Sequence, residues 1–490
     1  MTQSFDIVIR NARIVSETGQ HDASIGIADG QIAAIAPDLD GGAETIDATG
    51  LLALPGGIDA HCHIEQMVST GARTVDTFES ASIAAVCGGT TTIVPFAAQH
   101  RGQRLRDVVD DYKTRATASV IDYGFHLIVT DASQTTLDED LPALVREGFT
   151  SVKIYLTYDA LRLDDKAALD VFTAVRREGA VPLVHAESHD MIAWFMDQLI
   201  RAGHTEIRNL AVARPVLAER DAVHHAISLA ELAGVPMVLV HMSSKDAVEQ
   251  VRWAQQRGMP VFAETCPQYL VLTADTLDAP PQQAVRFCCS PPLRDANSQA
   301  ALWAGLQDGS VSILSSDHSA FHLEGDAGKL RDGLATPFNR ISNGLPGLET
   351  RLPLVFSEGV NKGRLSLERF VAVSAAQPAR LYGLWPRKGT IAVGSDADIA
   401  LWDPHKRTTV RATTLNDGLG WTPYEGFDLT GWPVCTLSGG KVLVRDSRFT
   451  GVNSRGRLLQ RSPAVHSTPV WSSAPFDALR KTFKCEGIGE

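Results

Sequence analysis

Between residues 52 and 319 short apolar runs alternate with stretches in which apolar residues recur every three or four positions. The runs predict strands and the spaced stretches predict helices, because side chains switch faces at each strand residue and return to one face every helical turn. Predicted strands cover 52–63, 89–97, 123–130 and 151–156, then 181–187, 235–243, 261–266 and 311–319. The helices between them include DAVHHAISLAELAG (221–234) and DAVEQVRWAQQRG (246–258). Eight apolar strands separated by helices predict an α/β protein with a (β/α)8 barrel of the TIM type. Parallel strands need crossover connections and bury both faces. An open doubly wound sheet is the competitor, but no GxGxxG follows the first strand.

The two ends of the chain read differently. FDIVIRNARIV and SIGIADGQIAAIA, within residues 5 to 50, are β-rich, and Asp29-Gly30 between strands is a hairpin signal. After about residue 385 short strands return in KGTIAVGSDADIALWDP and WPVCTLSGGKVLVRDSRFTG, with turns at Gly394-Ser395-Asp396 and Gly439-Gly440. Each segment alone would leave a sheet face uncovered. The two are therefore predicted to pair into one small β-sandwich. The division is 1–52 for its N-terminal part, 53–384 for the catalytic barrel and 385–458 for its C-terminal part. Residues 459–490, rich in Ser and Pro, predict an extended arm or mobile tail.

Composition narrows the function classes. A chain of 490 residues with 44% apolar and 21% charged content is typical of a soluble globular enzyme. Its net charge of −12 argues against nucleic acid or an anionic membrane as partner, since both demand basic patches. No apolar run approaches the length of a membrane span, and no basic-then-apolar leader precedes Phe5. The seven cysteines show no CxxC spacing, so a reducing, cytoplasmic setting is expected.

Candidate chemistry begins at LLALPGGIDAHCHIE (51–65), where His61 and His63 stand one residue apart. On an extended chain both imidazoles point to one face and can converge on one metal. A bare HxH is more often a pair of satisfied histidines. Here Lys153, His185, His241 and Asp317 also sit in or at the end of predicted strands. A barrel brings its C-terminal strand ends together at one face, where active sites lie. Six coincidences of this kind argue for a site, whereas His126, His204, His224 and His225 read as structural. Lys153 alone would be an ordinary ion-pair lysine, because an ammonium repels a cation. A carbamate formed with CO2 would instead offer two oxygens able to bridge two metals.

The motifs PGGIDAHCHIE, SVKIYLTY, VHAE, VHMSS, AETCPQYL, CSPPLR, SSDHS, SNGLPGLE and KGTIAVGSDADIALWDP resemble the amidohydrolase superfamily. Within it they resemble the dihydropyrimidinase and D-hydantoinase branch, cyclic-amide hydrolases with two metals. The resemblance runs from about residue 5 to 455. It implies that His61 and His63 bind the more buried metal, completed by Asp317, and that His185 and His241 bind the more exposed one. It also implies N6-carboxylysine at Lys153 as the bridge, zinc as the usual metal, and a homo-oligomer, tetramer or dimer. Tyr158 matches a tyrosine that stabilises the oxyanion, while Ser290 and Asn343 match positions whose backbone groups hold the ring amide. As isolated residues, Tyr158 reads as a buried aromatic and the other two as turn formers.

Ser188, Ser319 and Val94-Pro95-Phe96 depart from the family pattern near the expected pocket rim. Glu65 stands where dihydroorotases carry an arginine that holds a substrate carboxylate. By resemblance, Asp317 takes a proton from the attacking water and passes it to the ring nitrogen, giving an N-carbamoyl amino acid. Met67, Tyr155, Leu156 and Leu161 fall in loops after the first and fourth strands and are expected to form an apolar lid. An allantoinase or cyclic-imide hydrolase is the rival in the same superfamily. A non-catalytic scaffold is disfavoured by the complete ligand set.

Overall fold

The structure is a computed structural model and describes residues 4–68, 71–451 and 455–463. Its centre is the expected barrel, assembled from two sheets. A seven-stranded parallel sheet runs from Phe96–Ala98 through His126–Ile128, Ser151–Tyr155, Val181–His185, Met237–Leu239 and Val261–Thr265 to Ile313–Leu314. A three-stranded sheet of Gly57–Asp59, Thr90–Ile93 and Asp122–Tyr123 supplies the remaining wall. A parallel bridge between Cys62 and His318 and a 2.7 Å bond from His63 N to His318 O join the first and last strands. Buried Arg351 seals the same seam, donating to Ile58 O at 3.0 Å, Leu314 O at 2.7 Å and Thr90 Oγ1 at 2.8 Å. Ile58, Phe96, Ile128, Leu183, Val238 and Ile313 fill the interior.

Three strands expected to be continuous are broken. Residues 52–63 divide at Gly56: Leu52–Pro55 joins the terminal sheet, and only Gly57–Asp59 enters the barrel. A Cβ on Gly56 would lie 2.1 Å from Thr91 Oγ1, so only glycine lets the chain cross this closely beside the second strand. The second strand divides at Val94-Pro95, because proline cannot donate to a ladder. The third divides between Tyr123 and His126. The two helices quoted from the sequence are present as Val216–Ala233, ended by Gly234 at φ +65°, and Lys245–Gln256, capped by Ser244.

Both ends of the chain build one nine-stranded sheet. Asp29-Gly30 and Gly439-Gly440 make the expected two-residue turns, all four at positive φ. The sandwich has its own core, in which Ile9, Ile25 and Ile27 meet Ile399, Leu401 and Leu437. Residues 455–463 dock on the start of the barrel strands, where buried Arg461 donates to Ser151 Oγ at 2.9 Å. The rest of the expected tail, 464–490, lies outside the described residues.

Sandwich and barrel are tied by a buried ion cluster. Lys388 Nζ lies 2.7 Å from Asp122 in the barrel, and 2.9 and 2.6 Å from Asp396 and Asp398 in the terminal segment. Burial opposes the charge on Asp122, but Lys388 and Arg457 bring its pKa down to about 2. Its contribution to stability is therefore present near neutrality and is lost as the pH falls below about 4 toward 2. Removing one partner of a buried cluster typically costs about 3–5 kcal/mol. We expect Lys388→Met to lower the urea midpoint and the apparent Tm clearly. An unchanged midpoint would show that the cluster does not hold the two parts together.

Candidate metal centre

The strand ends deliver their polar side chains to one cavity of about 210 Å³, lined among others by His61, His63, Lys153, His185, His241 and Asp317. Each reaches it by local geometry. His61 and His63 follow Asp59 on extended chain, Lys153 is central in its strand, His185 ends its strand, and His241 and Asp317 lie just beyond theirs. His61 Nε2 and His63 Nε2 each stand 3.2 Å from Asp317 Oδ1. Donor atoms of His61, His241 and Asp317 all lie within 4.8 Å of one another. The His185 and His241 rings are 4.5 Å apart.

Carboxylates behind the histidines fix their orientation. Glu264 Oε1 is 2.7 Å from His61 Nδ1 and accepts from His241 N at 3.2 Å, while its Oε2 accepts from Ser315 Oγ at 2.8 Å. Glu187 Oε2 is 2.7 Å from His185 Nε2 and accepts from Arg214 Nη1 at 2.6 Å and Ser290 Oγ at 2.9 Å. Gln66 holds His63 Nδ1 at 2.7 Å. Glu264 and Glu187 stand in the quoted motifs AETC and VHAE, yet only the fold shows what they touch.

The donor set fits divalent cations. Buried polar atoms in proteins nearly always have partners, yet among the described residues His241 Nδ1 and Lys153 Nζ make no hydrogen bond, and neither does His61 Nε2, although Asp317 Oδ1 stands 3.2 Å away. Burial opposes a proton on His61, but Glu264 and Asp317 outweigh it and raise the pKa above the ordinary value. Burial also opposes the charge on Asp317, but His61 and His63 hold that carboxyl well below its usual range. Burial pushes His185 down to about 4, leaving a neutral imidazole. Lys153 is pushed down to about 7 by burial, against the pull of Glu264 and Asp317. Imidazole and carboxylate groups focused on unpartnered space are the ligands zinc and similar ions take.

The remaining expected residues divide. Tyr158, Ser290 and Asn343 line the cavity, and Asn343 Oδ1 is buried without a partner. Tyr155 and Leu161 line it as well. Met67 is 47% exposed and faces a neighbouring hollow, and Leu156 faces a third one, so the four do not form one surface. Glu65 turns away from the cavity, accepting from Phe78 N and pairing with Arg115. Of the departures from the family pattern, Ser319 lines the cavity and Ser188 does not. Phe96 is no rim residue: its ring packs 4.7 Å from His61 and 4.9 Å from His63. His126 is a buried structural histidine, bonded to Ser151 Oγ and Ala60 O.

Comparison with known proteins agrees with this geometry. Residues 52–443 match the amidohydrolase family. A D-hydantoinase of Geobacillus stearothermophilus is 40% identical over 458 residues, 93% of this chain and 96% of the relative. A D-phenylhydantoinase of Escherichia coli is 39% identical over 464 residues, 94% of this chain and 99% of the relative. The solved dihydropyrimidinase of Brevibacillus agri NCHU1002 superposes with a TM-score of 0.90 at 38% identity, covering 94% of this chain and 99% of that one. In sequence and in fold, the chain belongs to the amidohydrolase family.

Proposed function

We propose that the chain is a binuclear metal-dependent hydrolase that opens dihydropyrimidines and 5-substituted hydantoins to N-carbamoyl amino acids. The observation that carries this reading is the set of buried nitrogen atoms without partners, Lys153 Nζ foremost, inside a ring of histidines. His61, His63 and Asp317 would hold one ion, and His185 and His241 the other. Lys153, as N6-carboxylysine, would join them. The lowered pKa of Lys153 favours the neutral amine, the form that adds CO2. Zinc is the ion we assign. When bound, two such ions acidify water and polarise a ring carbonyl.

The chain's own groups do the rest. Asp317 accepts the proton of the attacking water and returns it to the leaving ring nitrogen. Burial pushes Tyr158 up to about 12, so its phenol stays protonated and can donate to the developing oxyanion. Arg214 lies 5.1 Å from the Tyr158 ring centroid and is itself held by Glu187, to which Ser290 Oγ also donates. The Ser290 hydroxyl already donates to Glu187, which leaves the backbone of its loop, with that of Asn343, to hold the ring amide. Leu161, Met196, Leu210, Phe338 and Ile341 offer an apolar wall for the ring substituent.

A reducing, cytoplasmic setting belongs to the same reading, supported by six cysteines that are all buried free thiols among the described residues. So does a homo-oligomer, dimer or tetramer: helix His189–Arg201 buries only Ile192 and leaves Trp194 59% exposed. Light scattering of the purified protein decides the assembly, and a monomer at working concentration would refute it.

Metal analysis of wild-type protein should find two ions per chain, and His61→Ala and His241→Ala should each lose metal. Full activity at one ion per chain would sink the binuclear reading.

Lys153→Ala should be inactive and metal-poor, with partial recovery when metal and a short carboxylic acid are added. Asp317→Asn should lose about 10²–10⁴-fold in kcat, with a further loss from weaker metal binding. Wild-type turnover in either variant would remove that residue from the mechanism.

A substrate panel tests specificity through kcat/KM. Aryl- and alkyl-hydantoins should be turned over at least as well as dihydrouracil. Allantoin should be poor, because its ureido group would meet the apolar wall unpaired. Allantoin or phthalimide as the best substrate would instead assign an allantoinase or an imide hydrolase.

A further inference from the structure

Lys329 is fully buried, and the mechanism above does not use it. Among the described residues its ammonium pairs with no carboxylate; the groups around it are the Cys288 and Cys289 thiols and the Trp421 ring at 5.4 Å. Instead Nζ donates to Cys288 O at 3.0 Å and to Gly344 O at 2.6 Å. Those carbonyls belong to the two loops that carry Ser290 and Asn343 to the cavity. The loops also bond directly, Gly344 N donating to Cys288 O at 3.0 Å. The same carbonyl of Cys288 thus receives a charge from Lys329 and an N–H from the opposite loop. Lys329 is itself anchored, its N–H bonded to His322 O at 2.9 Å.

A buried charge without a counter-ion is expensive. Hydrogen bonds from a cation to carbonyls are stronger than neutral ones, and with the Trp421 ring they are what offsets the charge among the described residues. Burial pushes the lysine down to about 8, which leaves it charged near neutrality. The gain is geometric. Cys288 lies two residues before Ser290, and Gly344 directly follows Asn343, so clamping both carbonyls sets the spacing of the loops.

We propose that Lys329 is a positioning residue for substrate, holding the Ser290 and Asn343 loops at the separation that accepts a cyclic amide. The inference rests on the reading that these loops bind the ring amide. It predicts an effect on substrate capture and none on metal loading, because among the described residues the Lys329 ammonium bonds to Cys288 O and Gly344 O and to no metal-site side chain.

The test is Lys329→Met, which keeps most of the unbranched chain and removes the donors. With dihydrouracil or a substituted hydantoin, KM should rise at least about tenfold while kcat stays within about threefold and metal content is unchanged. Amide hydrogen exchange without substrate should quicken in 287–290 and 343–345. Lys329→Gln, with a neutral donor, should recover part of both effects, and it replaces the methionine variant if that fails to fold. Unchanged KM and unchanged exchange in a folded variant overturn the proposal, as does a loss confined to kcat. If wild-type protein hydrolyses no cyclic amide, the functional reading fails, and the exchange rates alone decide whether the clamp exists.

Discussion

Polar atoms held in a buried space without partners are the constraint that the barrel mouth is built around. Leaving a donor or acceptor unpaired away from water costs on the order of 1–3 kcal/mol, and charged groups cost more. Among the described residues His241 Nδ1 and Lys153 Nζ stand in that condition at one site, and His61 Nε2 has Asp317 Oδ1 at 3.2 Å without a hydrogen bond formed. Such an arrangement persists only if the surrounding atoms allow no relaxation. Glu264 provides much of that rigidity, because one carboxylate ties the first, sixth and eighth strands together. Glu187 does the same for the fifth strand and the loop of Ser290.

The backbone is held against its own preferences at the same places. Tyr158, His241 and Asp317 adopt φ of +71°, +40° and +49°, without the turn chemistry that accounts for Asp29 or Asp446. Positive φ in such residues costs about 1–3 kcal/mol each and clusters at functional sites. In each case the chain turns sharply as it leaves a strand, which aims the side chain into the cavity rather than along the barrel wall. Beside Asp317 the barrel is closed by Arg351, whose fully buried guanidinium binds backbone carbonyls of the first and last strands. Closure of the barrel and convergence of the donors therefore depend on one another.

Much of this was legible in the residues, for identifiable reasons. Apolar runs and helical spacing reveal strands and helices, and strand order then delivers the strand-end donors to one face whatever lies between them. The broken strands were not legible. Residues 52–63 form one apolar run, and periodicity cannot tell that Leu52–Pro55 pairs with Ile399–Thr409 while Gly57–Asp59 pairs in the barrel. Only the two glycines hinted at the switch. Phe96 was misplaced for a related reason: distance along the chain from a ligand says nothing of packing, and the break at Pro95 turns its ring onto His61 and His63. Met67 and Leu156 share loops with cavity residues, but a loop has two faces. Which face a side chain takes is settled by tertiary contact, not by hydropathy.

The motif KGTIAVGSDADIALWDP shows a further limit. It carries as much family resemblance as the histidine motifs and contains four charged residues, of which Lys388, Asp396 and Asp398 lie close enough together to be taken for chemistry. Its Lys388, Asp396 and Asp398 are instead spent on each other and on Asp122, far along the chain in the third barrel strand. The distinction lies in partners. Every charge in that cluster is neutralised within hydrogen-bond distance, so nothing remains to act on a ligand. At the barrel mouth the charges and lone pairs are left incomplete. Motif density alone cannot separate a structural cluster from a reactive one; the unpaired atom can, and it is visible only once the chain is folded.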